Sequence, residues 1–124
     1  MKIRCDFVTN SSSSSFIIGF NSNKYNNAFD VIRDNIDDYF TDKLVEDLLE
    51  YSSNVIDIDD VGEIVESNRG EHGKEVNRIK DIAKENGFDK FFRISIDDDT
   101  EVSSFLEHEY FPYLPCTVTR YSHH

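Results

Sequence analysis

The chain has 124 residues and a formal charge of −12, with 25 acidic residues against 13 basic ones. That length fits one domain large enough to bury a real core. The charge argues against a direct nucleic-acid binder, which needs a basic face to neutralise phosphates, and against docking on an anionic membrane; it permits a basic protein partner.

Ten Phe and six Tyr supply core material without help from disulfides. The two cysteines, Cys5 and Cys116, fall at apolar positions of expected strands far apart in the chain. That usage fits buried thiols in a reduced, cytoplasmic protein better than a disulfide framework. No run of eighteen apolar residues occurs, so no membrane span is expected. Asp6 and the serines that follow interrupt any signal-peptide core.

In chain order, Ile3, Cys5 and Phe7 alternate with Lys2, Arg4 and Asp6, the pattern of a half-buried strand. The serines at 11–15 favour a loop, because Ser and Asn side chains compete for nearby backbone groups. Two readings of that loop stand: a polar connector, or a cradle of hydroxyls and N–H groups for an anion. It has no GxxxxGK[ST] pattern, so a P-loop is not supported. Phe16, Ile18 and Phe20 then mark a second strand.

A first helix is expected over residues 25–40, with Asn23 or Asn26 as cap. Its apolar stripe is Ala28, Val31, Ile32, Ile36, Tyr39 and Phe40. Thr41 caps a second helix over 42–51, with Leu44, Val45, Leu48 and Leu49 facing inward. The run at 55–58 is a strand fragment or a hydrophobic staple before Asp59 or Asp60, which would cap a short helix near 61–67. A fourth helix spans 74–86 around Val76, Ile79, Ile82 and Ala83, with Gly87 as its stop. Phe92, Ile94 and Ile96 alternate as a strand. Asp99 or Thr100 caps a fifth helix through Phe105 and Leu106, which Pro112 and Pro115 end. Residues 116–121 read as the last strand. Without repeats or linkers, residues 1–124 form one domain. The expected class is α+β: a small mixed sheet with four to five helices mainly on one face.

Thirteen acids lie between Asp30 and Glu66, opposed only by Arg33 and Lys43. On the expected helices Asp30, Asp34 and Asp38 stack at i, i+4 and i+8, and so do Asp42, Glu46 and Glu50. Each like-charged pair costs its helix about 0.2–0.5 kcal/mol. With Asp37 and Asp47 these residues suit a face that docks into a basic groove built for nucleic acid, as a charge mimic. The competing reading is a solvated face that serves solubility.

Glu107, His108, Glu109 and His123 offer a carboxylate and imidazole set for a divalent metal, which would make a small hydrolase or nuclease. That set lacks HExxH spacing, and His123 with His124 also reads as a tag remnant. Phe105, Tyr110, Phe111, Tyr113 and Tyr121 form an aromatic group suited either to an interface or to closing the core. No catalytic triad or phosphate loop can be placed. The expectation is therefore a binding protein without enzymatic activity or cofactor.

The opening, KIRCDFVTNSSSSSFI, resembles the KIRTDFVTNSSSSSFI-like segment with which a set of small bacterial and phage proteins begins. Cys5 stands where that set usually has Thr. The ending, FLEHEYFPYLP through RYSHH, is similar to endings in the same set, while the middle matches nothing in it. The resemblance carries no particular activity with it. By analogy its phage connection implies a small inhibitor of host defence, of the anti-CRISPR type.

Overall fold

The computed structural model describes residues 13–65, 70–97 and 100–123. The expected strand around Ile3, Cys5 and Phe7 lies outside the described residues. Among those described there are four strands: β1 (Ser13–Phe20), β2 (Ile56–Asp57), β3 (Lys90–Asp97) and β4 (Thr117–His123). They form one sheet in the order β2-β3-β1-β4.

β1 takes the middle because it is apolar on both faces. Phe16, Ile17 and Ile18 are all fully buried, as a strand covered on two sides requires. It runs antiparallel to β3 from Ser13 opposite Asp97 to Phe20 opposite Lys90. On its other edge it pairs antiparallel with β4, with a bulge between Ile17 and Ile18.

On one face, Phe16, Ile18 and Phe20 join Phe92, Ile94 and Ile96 under α1 (Ala28–Asn35) and α2 (Asp42–Leu49). Leu106, Phe111 and Leu114 complete that layer. On the other face, Ile17, Phe91 and Val118 pack against Val61 and Ile64 and against α3 (His72–Asn86) through Ile79 and Ala83. The α+β class is therefore as expected, with two differences of detail. All described pairings are antiparallel rather than mixed. The longest helix covers the opposite face, because Ile17 and Phe91 leave apolar surface there that must be buried.

Several caps fall where the sequence puts them. The Thr41 hydroxyl accepts from Leu44 N, and Thr100 forms a capping box with Ser103. Gly87 ends α3 at φ 73°, a left-handed position that glycine takes without a Cβ penalty.

Four elements differ from expectation. The Ser-rich segment is already strand at Ser13, and Ser14 and Ser15 are buried. α1 stops at Asn35 instead of reaching Phe40. There Asn35 Nδ2 donates to the Val31 carbonyl, and Asp37 Oδ1 accepts from Tyr39 N at 2.8 Å. Such side-chain bonds give the backbone an alternative to the helix. The third helix is a 3₁₀ turn over Ile58–Glu63, begun before either expected cap. The fifth, α4 (Glu101–Phe105), opens into a π turn (Leu106–Tyr110) and then a 3₁₀ turn (Phe111–Tyr113) that includes Pro112. Pro112 brings no N–H to continue an α-helical ladder.

Candidate functional site

The acidic tract occupies α1, the 37–40 loop and α2. Because α1 ends early, Asp30, Asp34 and Asp38 do not stack on one helix as expected. They still meet, lining one open depression together with Lys24 and Arg33. Asp34, Asp37, Asp38, Asp42, Glu46, Asp47 and Glu50 are exposed and Asp30 is half-buried. Tyr25 donates its hydroxyl to Asp34, and that bond raises the phenol above its ordinary range.

The two basic residues of this stretch are engaged. Arg33 Nη1 reaches Asp42 Oδ1 at 3.1 Å, and Lys43 Nζ reaches Asp47 Oδ1 at 2.6 Å. The carboxylate of Asp47 holds the Lys43 ammonium above its usual value, although an exposed pair of this kind adds little stability. Asp38, Glu46 and Glu50 have no ion-pair partner among the described residues. Glu50 sits at the C-terminal cap of α2, where the helix dipole disfavours an anion. Local stability therefore does not explain its charge.

Arg33 does a second thing. Its Nη1 donates to the Phe40 carbonyl at 2.7 Å and its Nη2 to the Asp37 carbonyl at 3.0 Å. The 37–40 loop is thereby pinned, and it presents Tyr39 with 85% of its surface exposed. Opposite stand Val102 and Phe105 of α4, 47% and 45% exposed. Phe105 is held toward Phe40 with ring centroids 6.5 Å apart, and Tyr110 meets Phe40 edge-on at 6.0 Å. Asp37, Tyr39, Phe40, Val102, Phe105 and Tyr110 enclose an open cavity of about 380 Å³. The expected aromatic group is thus divided: Phe111 is buried in the core, while Phe105 and Tyr113 face outward. That Tyr39 and Phe40 would join Phe105 and Tyr110 carries no sequence signal, since more than sixty residues separate the pairs.

Of the set expected to hold a metal, the three described side chains do not converge. Glu107, His108 and Glu109 are consecutive in the π turn and diverge: Glu107 is fully buried, Glu109 exposed. Glu107 Oε2 accepts from Ser14 Oγ at 2.7 Å, and Oε1 lies 3.4 Å from His108 Nε2 with no hydrogen-bond partner among the described residues. The His123 side chain lies outside the described residues. Among the described residues no three His, Cys, Asp or Glu side chains group as a cation site would need.

Ser14 also accepts from Arg120, at 3.2 Å from Nη2. On the opposite face Ser15 Oγ lies 3.1 Å from Ser95 Oγ and 3.2 Å from Arg93 Nη2. These two serines hold strands and turns together, their hydroxyls engaged within the fold; Ser11 and Ser12 of the expected cradle lie outside the described residues. The remaining expected thiol, Cys116, is buried, and burial pushes it up to about 11, far from a nucleophile's range. No helix among the described residues is long and apolar enough to cross a membrane. Comparison with protein-family models, with curated proteins and with solved structures returned no match.

Proposed function

We propose that the chain is a non-enzymatic binding protein that acts in the cytoplasm by docking its α1–α2 surface on a basic site of another protein. One observation carries this reading. Eight carboxylates lie between Asp30 and Glu50 with only Arg33 and Lys43 in the same segment, both already engaged there, and among the described residues Lys24 is the one further base lining the depression they form. Among the described residues, Asp38, Glu46 and Glu50 have no ion-pair partner. The acidic segment borders an exposed aromatic cavity, giving an apolar centre with a charged rim, as protein interfaces have. Such a surface raises the rate of encounter with a positive groove and excludes acidic partners. A groove that normally holds a nucleic-acid backbone has the matching charge. The phage-linked resemblance then favours an inhibitor of host defence, anti-CRISPR-like in its logic.

The test combines capture and competition. The tagged chain and a variant with Asp34→Lys, Asp38→Lys, Glu46→Lys and Glu50→Lys are used to capture partners from host lysate at low and high salt. The expected partner is a nucleic-acid-binding protein, held at low salt by the native chain alone and displaced from its duplex by it. Capture indifferent to charge reversal, or a captured protein that keeps its duplex, refutes the reading.

A further inference from the structure

We propose that the cavity between the 37–40 loop and α4 receives a single arginine side chain of the basic protein partner; this rests on the docking reading above and names its central contact. Tyr39, Phe40, Phe105 and Tyr110 line it together with Val102 and Asp37, and one oxygen of the exposed Asp37 carboxylate accepts from Tyr39 N. No basic side chain lines it among the described residues. An aliphatic or aromatic occupant would match the rings but bury Asp37 without a counter-charge, which is unfavourable. A lysine brings a compact, strongly hydrated ammonium that gains less from flat rings. Arginine alone answers every part of the lining. Its planar guanidinium stacks on ring faces and pairs with a carboxylate, and its apolar stem lies against Val102.

The site is also shaped in advance. Arg33 fixes the 37–40 loop through the Asp37 and Phe40 carbonyls, and the Thr100–Ser103 capping box fixes the start of α4. Backbone held by such contacts loses little freedom when a guest arrives, which favours binding.

The experiment uses the full chain and three synthetic Gly/Ser peptides that differ at one central residue: arginine, its neutral isostere citrulline, or leucine. Binding is read from the ring resonances of Tyr39 and Phe105 by NMR. The arginine peptide is expected to give saturable shifts, with citrulline and leucine binding about tenfold more weakly. Tyr39→Ala and Phe105→Ala, both at exposed positions, should each abolish the shifts seen at the remaining ring. Equal binding of all three peptides, or shifts with none, overturns the proposal. Partner capture that needs Asp34, Asp38, Glu46 and Glu50 but tolerates Tyr39→Ala overturns the arginine pocket alone. Capture that ignores the four carboxylates removes the docking reading beneath it.

Discussion

Replacing Ser14 by alanine tests the buried polar joint between β1 and the π turn. Ser14 is fully buried, and so is Glu107 ninety-three residues later. The serine hydroxyl donates to Glu107 Oε2 at 2.7 Å and accepts from Arg120. Glu107 Oε1 already lacks a hydrogen bond, so in Ser14→Ala the carboxylate keeps only the contact with His108 at 3.4 Å. A hydrogen bond to a charged group is worth about 1.5–3 kcal/mol, and an orphaned buried acceptor costs about 1–3 kcal/mol. The two overlap, and the expected destabilisation is about 2–4 kcal/mol. For a chain of this size the midpoint should fall by about 10 °C. Urea titration followed by circular dichroism gives the free energy directly. The double variant Ser14→Ala with Glu107→Leu removes acceptor and donor together. It should recover at least about 1 kcal/mol relative to Ser14→Ala, since a buried charge stripped of its partner is worse than a matched apolar pair. A single variant within about 0.5 kcal/mol of the native chain, or strict additivity in the double, would refute the reasoning.

Two further perturbations bear on the core. Burial raises the Cys116 thiol from 9.0 to about 11. The folded state therefore keeps its proton to higher pH than the unfolded one. That contribution is complete below pH 9 and is lost as pH rises toward 11, by up to about 2–3 kcal/mol. Urea midpoints across that window, measured in a Cys5→Ser background, should fall with a slope that Cys116→Ala removes; an unchanged slope contradicts the assignment. Gly19→Ala places a Cβ 2.6 Å from Phe88 Cδ2 and 2.9 Å from Phe91 Cε1. Since both are ring atoms beside the sheet, thermal denaturation should show a loss of about 1–3 kcal/mol, and a neutral result would mean that the Phe88 ring swings clear.

Much of the fold was legible in local patterns. The alternation of Phe92, Ile94 and Ile96 gave β3, and Thr41, Thr100 and Gly87 bounded their helices as their chemistry suggests. What was not legible depended on partners distant in sequence. Ser14 and Ser15 read as loop because serine offers its hydroxyl to nearby backbone. In the fold those hydroxyls bond Glu107, Arg120 and Arg93, so the serines extend a central strand. The apolar spacing of Ile36, Tyr39 and Phe40 suggested one long helix. Asp37 broke it with its own side chain, turning Tyr39 outward. Of the site, the acidic residues were visible as composition. The cavity was not, because it joins a loop after α1 to a helix near the end of the chain.

The acidic surface and the aromatic cavity share one organising residue. Arg33 lines the depression with Asp30, Asp34 and Asp38, pairs with Asp42, and holds the carbonyls of Asp37 and Phe40. Its charge goes into shaping the 37–40 loop and leaves Asp38 unneutralised. A face selected for solubility alone needs scattered charge of both signs and no large exposed rings. Here seven exposed carboxylates lie in the segment that also carries Tyr39, and Asp37 shares a cavity with Tyr39, Val102 and Phe105, all of them substantially exposed. Exposed rings and an excess of like charge are unfavourable in the isolated chain on both counts, by apolar exposure and by repulsion. On the docking reading proposed above, a basic partner that carries an arginine would relieve both at once, which joins the two features in one explanation.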